Sequence, residues 1–288
     1  MERFRKYLPY FLITTIFIVA IGIWYKVYSK EGENIYLKVA FLDIGQGDAI
    51  YVEAPNGTQM LIDAGPGPVI LPELAKVMPW GDKSIDMIVV TNPDKDHMGG
   101  FIDVLDNYTV GRVLEPGTQK STLIYKKFEQ SIVDHNVVKD IARRGMKINL
   151  DTNKNIYFDI LFPDRDVSNF DVNDGSIVGK LVYGSKSFML MGDASKYTEL
   201  MVKQNETPEI LKSSVLKLGH HGSRTSSSEL WLNSVQPEFA IISAGKSNSY
   251  GHPHKDILER LSTFRIPYLG TYKDGTIIFK TDGIQIFQ

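Results

Sequence analysis

The chain has 288 residues, 43% of them hydrophobic and 23% charged, a globular composition that excludes wholesale disorder and needs no covalent staples for its core. It contains no cysteine, which excludes a disulfide scaffold, a thiolate-held zinc and a thiol nucleophile, so any metal must be held by His, Asp, Glu or Asn. The formal charge of −2 hides an asymmetry: residues 1–30 carry five Lys/Arg and one Glu, leaving 27 basic against 33 acidic residues and a net of −6, which excludes bulk-charge binding to nucleic acid.

Residues 7–25 contain no charged side chain, and at 1.5 Å per residue they extend about 28 Å as a helix, close to the thickness of a bilayer core. Tyr7, Tyr10, Trp24 and Tyr25 supply interfacial aromatics at both ends. Arg3, Arg5 and Lys6 precede the run, whereas Lys26 and Lys30 follow it diluted by Glu31 and Glu33. The pattern predicts an uncleaved single-pass anchor with a cytoplasmic N-terminus, residues 1–30, followed by an extracytoplasmic domain, residues 31–288. A cleaved signal peptide is the alternative, but Ile-Gly-Ile-Trp-Tyr-Lys offers no small-x-small cleavage site.

Beyond the anchor, apolar runs predict strands over 36–42, 49–53, 60–62, 85–90 and 112–114, with Asn56-Gly57 as a hairpin turn. A helix is expected over 123–144, stopped by Gly145, and a strand over 156–162. A second spell predicts the hairpin 177–183/187–191, a helix from Ser195, strands 215–218 and 239–243, helices 228–235 and 256–264, and a closing hairpin 276–281/283–287. Strand-rich halves that both carry helices suggest an α/β domain of two packed sheets with helices outside. Trp80 and Trp231 are expected in the core, and His135 on a solvent-facing helix surface.

Five of the six histidines fall in three short segments rich in Asp, Gly or Ser, each after a predicted strand, where rigid scaffolds place ligands. The first is Asn92-Pro93-Asp94-Lys95-Asp96-His97, followed by Gly99-Gly100. Carboxylates and an imidazole so close together suit Zn²⁺ or Mn²⁺, although Asp94 and Asp96 would equally serve as helix N-caps. Asp193 ends a buried hairpin as Met191-Gly192-Asp193; an ordinary turn Asp is the plainer alternative. Leu218-Gly219-His220-His221-Gly222-Ser223 and Tyr250-Gly251-His252-Pro253-His254 complete the set. Lys95, Lys217, Arg224 and Lys246 neighbour these loops and are candidates for phosphate contact, or simply solvated charge.

The order of these motifs resembles the metallo-β-lactamase superfamily. Leu42-Asp43-Ile44-Gly45-Gln46-Gly47-Asp48-Ala49, Leu61-Ile62-Asp63-Ala64-Gly65 and His220-His221-Gly222-Ser223 resemble more narrowly the C-terminal hydrolase-like domain of the competence protein ComEC, from about residue 36 to 288. The resemblance implies an αββα sandwich, here preceded by one transmembrane helix in place of the family's channel helices. It implies a centre of one or two divalent ions, Mn or Zn with Mg as a further choice, held by Asp94, Asp96, His97, Asp193, His220 and His252, with His221 as a substitute for His220. Asn92, Asn173 and Ser176 would be weaker ligands, and Asp193 matches the carboxylate that bridges two metals in the superfamily. Asp43, Gln46, Asp48 and Asp63 would support the ligands from behind.

Asn92 departs from the family, which has His at that position, and so exchanges an imidazole for a neutral amide oxygen. The implied chemistry is hydrolysis by a metal-activated hydroxide, oriented by Asp96 or Asp193, with His221 stabilising charge on the phosphoryl oxygens. The implied function is a membrane-anchored DNA nuclease serving DNA uptake or scavenging, with DNA as substrate and a separate channel protein as partner. Two alternatives stay open: a hydrolase of small-molecule or envelope-polymer esters, and a non-catalytic module of the same fold.

Overall fold

The computed structural model describes the backbone of residues 2–28 and 35–288, and the side chains of residues 7, 10–24 and 35–288. The chain divides into two units, Met1–Ile35 and Tyr36–Gln288.

In the first unit a helix runs over Glu2–Tyr28 and covers the expected span 7–25. Every described side chain on it is exposed. Among the described residues no helix is long and apolar enough to cross a membrane. The charged residues expected to orient the anchor lie outside those whose side chains are described. The spanning segment therefore remains an expectation from the sequence.

The second unit is a sandwich of two sheets. One has eight strands in the order Ile286–Phe287, Ile277–Thr281, Leu37–Phe41, Ala49–Glu53, Gln59–Ala64, Met87–Val89, Arg112–Glu115 and Val138–Ile141. The other has seven, in the order Tyr268–Gly270, Phe239–Ile242, Val215–Lys217, Lys186–Leu190, Val178–Tyr183, Ile156–Phe162 and Lys147–Asp151. The alternation of strand side chains divides the apolar residues into three layers. Leu37, Val39 and Phe41 meet Phe188, Val215 and Ile241 between the sheets. Ala40 and Tyr51 point outward under the helices that carry Leu74, Phe101 and Phe128. Met189, Leu216 and Ala240 do the same on the far side, under Val202, Trp231 and Leu261. The αββα sandwich expected from the resemblance is the fold observed.

Three local expectations need correction. The helix expected over 123–144 ends at Asp134, and Val138–Ile141 becomes the edge strand beside Arg112–Glu115. Its β-branched residues (Val138 and Ile141) favour a pleated edge once the chain has turned at Asn136, whose φ is 53°. His135 accordingly caps the helix, half-exposed, with Nε2 3.0 Å from Asp106 Oδ1. The run 85–90 splits, Ser84–Ile85 pairing with Thr109–Val110 and Met87–Val89 entering the large sheet. Trp80 stands fully in solvent at 102% exposure, because its Pro79-Trp80-Gly81 turn lies at a loop tip, whereas Trp231 is 1% exposed in the core.

The topology gathers the loops that matter. Gln59–Ala64 runs parallel to Met87–Val89, and Lys186–Leu190, Val215–Lys217 and Phe239–Ile242 are mutually parallel. Their C-terminal ends deliver Asp63, the 92–100 loop, Asp193, the 219–223 turn and the 243–254 loop to one rim of the sandwich. The 42–48 connection joins that rim, because Ala49 pairs with Ala64 at the end of its strand.

Candidate metal centre

Asp63, the last residue but one of a buried strand, lies in the left-handed region, φ 56°, a cost accepted where surrounding bonds fix the residue. Those bonds are a Thr91 N–H donated to Oδ1 at 2.8 Å and a Thr91 hydroxyl donated to Oδ2 at 2.5 Å. Asp63 Oδ2 also lies 2.8 Å from His97 Nδ1. Accepting the Nδ1 proton leaves His97 Nε2 as the free nitrogen, the arrangement that supports a metal-bound imidazole. Burial raises Asp63 above the ordinary carboxylate range, despite the opposing pull of His97.

His97 lies on the short helix Lys95–Met98, which packs against the 42–48 turn. The fit is tight at Gly47, where a Cβ would lie 2.0 Å from the Asp96 carbonyl oxygen. Only glycine permits that approach together with a φ of 126°. Next door, Asp48 N–H donates to the same carbonyl at 3.2 Å.

The opposite wall comes from the second sheet. His97 Nε2 is 3.1 Å from Asp193 Oδ2, and His221 Nε2 is 3.5 Å from Asp193 Oδ1 and 3.4 Å from Asp96 Oδ2. His221 Nδ1 donates to the Ser243 carbonyl at 3.0 Å and lies 3.2 Å from Asp48 Oδ1, so its Nε2 too faces the centre. His220 and His221 hold left-handed backbones in succession, φ 47° and 54°, which turns the two rings apart. This separates the pair that the sequence left open: His221 is buried among the carboxylates, while His220 is half-buried with Nε2 3.7 Å from Asp193. His252 sits at the mouth, its ring 5.4 Å from that of His220 and stacked on Tyr250 at 5.7 Å. Gln46, Asp94, Asp96, Asn173, Asp193, His220, His221, Tyr250 and His252 line a cavity of about 110 Å³.

The charges oppose one another strongly. Burial favours neutral His97, but the Asp193 and Asp63 carboxylates outweigh it and hold the imidazole well above its usual range. His221 likewise resists burial, raised to about 9 by Asp193 and Asp48. Asp193 would be raised by burial; His221, His97 and His220 keep it well below the usual carboxylate range. Burial lowers His220 against the pull of Asp193, and lowers His252 to about 4 with help from its neighbouring imidazoles.

These residues fit a divalent cation. Among the described residues His97 Nε2, His221 Nε2 and Asp193 Oδ1 are buried without a well-aligned hydrogen bond, the two nitrogens 3.1 and 3.5 Å from the Asp193 carboxylate. Such atoms are costly to bury unless something binds them. Asp96, His97 and His221 bring ligand atoms within 4.8 Å of one another, as do Asp48, His97 and Asp193. A mixed set of imidazole and carboxylate suits Zn²⁺ or Mn²⁺.

The other expected site residues lie around this group and bond to one another or to its neighbours. Asp94 turns its carboxylate to the Lys120 ammonium. Fully buried Asn92 accepts the Asp94 N–H at 2.8 Å and donates to Asn173 Oδ1 at 3.1 Å and Ser176 Oγ at 3.3 Å. Asp43 stays behind its own turn, accepting the Gly45 N–H at 3.3 Å, while Gln46 accepts the Gly245 N–H at 3.1 Å and ties two rim loops together.

Lys217 is the clearest correction. It shares the inward parity of Val215, is 0% exposed, and bonds Asp48 and the Gly192 carbonyl, so no phosphate in solution reaches it. A lysine inside the apolar run Val215-Leu216-Lys217-Leu218 was the signal of a buried partner for a carboxylate. Two further residues went unassigned in the sequence. Asn248 accepts the His252 and Tyr250 N–H groups and donates to the Gly245 and His252 carbonyls, which fixes the last rim loop. Tyr250, 64% exposed, covers His252 from outside.

Comparison with known proteins decides the family: residues 42–246 match the metallo-beta-lactamase superfamily. The chain belongs to it. Among curated relatives, ComE operon protein 3 of Bacillus subtilis (strain 168) is 33% identical over 285 residues, covering 93% of this chain and 35% of that protein. Competence protein ComA of Neisseria gonorrhoeae is 30% identical over 246 residues, covering 84% of this chain and 32% of its own length. The chain thus spans about a third of the length of these relatives. Among solved structures, a CmlA beta-hydroxylase variant superposes with a TM-score of 0.55 at 10% identity, over 85% of this chain and 54% of that one, and shares the fold. Superfamily membership and the donor set support a metal-dependent hydrolase domain, and its relatives include a competence protein.

Proposed function

We propose that the protein is a membrane-anchored phosphodiesterase that cleaves DNA outside the cytoplasm, during uptake or scavenging. The observation that carries the hydrolytic part is the convergence of Asp96, Asp193 and His221 on one small cavity, with His97 Nε2 buried 3.1 Å from the Asp193 carboxylate. DNA as substrate is supported by a relative named as a competence protein. The exposed Lys95, Arg224 and Lys246 beside the rim loops add a local positive field despite the net −6. The anchor is supported by nineteen uncharged residues, 7–25, within the helix Glu2–Tyr28. A separate channel protein is the partner this reading implies.

Asp96, His97, Asp193 and His221 would hold the cation, which when bound acidifies water and withdraws charge from a phosphoryl oxygen. Asp96, lowered below the ordinary range by His221 and His97 against burial, is ionised at neutral pH and orients the attacking water as a hydrogen-bond acceptor. Asp193 keeps the two imidazoles facing the cavity. His220 and His252, held neutral at pH 7, border the position of the phosphate and orient it without adding charge.

The acidic balance of the domain favours one competitor, hydrolysis of small esters by the same residues. Full-length protein in detergent, given single-stranded DNA, duplex DNA, a lactone and a thioester with Mn²⁺ or Zn²⁺, separates the two. The proposal expects metal-dependent cleavage of DNA. Saturable turnover of a small ester with intact DNA contradicts it, and no turnover with no bound metal identifies a non-catalytic module.

A further inference from the structure

We infer that Tyr250 is a stacking platform for the nucleobase next to the scissile phosphate, and that it makes the site select an unpaired base and so a single strand. The inference rests on the phosphodiesterase reading above and deepens it by naming the form of nucleic acid that the site takes.

Size separates the phosphate from its base. The cavity measures about 110 Å³, well below the roughly 300 Å³ at which pockets for whole small molecules begin. It admits a phosphate group, so the neighbouring bases lie on its rim. Tyr250 lines that cavity at 64% exposure, and among the described residues that do so it is the only aromatic besides the imidazoles.

The ring is held as a fixed surface. It stacks on the His252 ring at 5.7 Å with 20° between the planes, which covers one face, and it meets no other ring among the described residues. His252 stands edge-on to His220 at 5.4 Å and to His254 at 4.9 Å. Between the stacked pair, Gly251 takes a φ of 73°, the turn that lays the two rings together. Asn248 accepts the Tyr250 N–H at 3.2 Å and the His252 N–H at 2.9 Å, which fixes both backbones. A flat ring held with one face open stacks on any base and loses little freedom in doing so.

Charge points to a strand of phosphodiesters. Lys246 lies on the same loop, and the Arg224 N–H donates to His254 Nδ1 at 3.0 Å, which ties Arg224 to the same rim. Both side chains are exposed and form no ion pair among the described residues. Cations beside an open aromatic face are the pattern that binds single-stranded nucleic acid. In a duplex the neighbouring bases cover both faces of each base, so only an unpaired or terminal base reaches Tyr250.

Full-length wild type, Tyr250→Ala and Tyr250→Trp are compared with Mn²⁺ on oligothymidylate, on a strand of equal length in which tetrahydrofuran replaces every base, and on duplex DNA. Wild type should favour oligothymidylate over the abasic strand about tenfold in kcat/KM. Tyr250→Ala should raise KM for oligothymidylate about tenfold with kcat within about threefold, add no further loss on the abasic strand, and narrow the preference for single strand over duplex. Tyr250→Trp should keep the wild-type KM, and circular dichroism of each variant confirms that the fold is present. Equal losses by Tyr250→Ala on oligothymidylate and the abasic strand would overturn the inference and leave Tyr250 as a prop for His252. Wild type that cleaves those two strands alike would overturn it without any variant, while DNA cleavage itself stands. No cleavage of any DNA by metal-loaded wild type would overturn the phosphodiesterase reading as well.

Discussion

At the scale of single residues, the site is a set of imidazoles oriented from behind. Asp63 holds His97 by Nδ1, and the Ser243 carbonyl holds His221 by Nδ1. Both rings therefore direct Nε2 at the Asp193 carboxylate. In the metal-free protein both are raised, His221 to about 9 and His97 well above its usual value. Raised values mean bound protons at neutral pH, which a cation must displace. Cation binding at pH 7 is thus expected to release about two protons and to strengthen as pH rises toward 9; calorimetry in buffers of different ionisation enthalpy counts them. Uptake of protons, or affinity independent of pH, would contradict the assignment. Asp63→Asn is expected to weaken binding about 10–100-fold, because the amide no longer enforces the His97 tautomer.

Lys217 belongs to the same scale. Its loss strands the Asp48 carboxylate in the core, where burial opposes ionisation and Lys217 and His221 sustain it. Lys217→Met should destabilise the fold by about 3–5 kcal/mol, as breaking a buried ion pair does. Urea denaturation measures this, and Lys217→Met combined with Asp48→Asn should recover part of the loss. The sequence made His97, Asp193 and His221 legible because few residue types hold a metal in a chain without cysteine. It misread Lys217 because charge beside a motif loop looks like surface, and only strand parity turns it inward.

At the scale of elements, the site is assembled by strand ends. Parallel pairing of Lys186–Leu190, Val215–Lys217 and Phe239–Ile242 places three loops side by side, and the 42–48 and 92–100 loops answer from the other sheet. The hairpins and central strands were readable from alternation and turn residues. The helix limit at Asp134 was not, because the residues after it satisfy either an amphipathic helix or an edge strand, and only the partner Arg112–Glu115 decides. Asn248 is the positioning residue of the last loop, with four hydrogen bonds to its backbone. Asn248→Ala should speed hydrogen exchange at Tyr250 and His252 and lower kcat/KM about tenfold, with little change in global stability. Unchanged exchange at those amides would remove Asn248 from this role.

At the scale of the whole molecule, a sandwich with net acidic charge follows a helix of apolar composition. The family was written in ordered motifs spread over nearly the whole domain, since each motif occupies a strand end that the fold brings to the same rim. What the sequence left open was the use made of Asn92: its hydrogen bonds to Asn173 and Ser176 lie 81 and 84 residues away in the chain. Expressed in full, the protein should remain with membranes after a high-salt wash, and a chain without residues 1–30 should not. Release of both forms alike would remove the anchor from the account.

The most direct test of the central claim is cleavage of an end-labelled single-stranded oligonucleotide by the full-length protein, with Mn²⁺ or Zn²⁺ and with EDTA, beside Asp193→Asn prepared identically. The account predicts cutting that requires the metal and falls to background in the variant. Equal cutting by Asp193→Asn, or none by a wild-type protein carrying its metal, would contradict it.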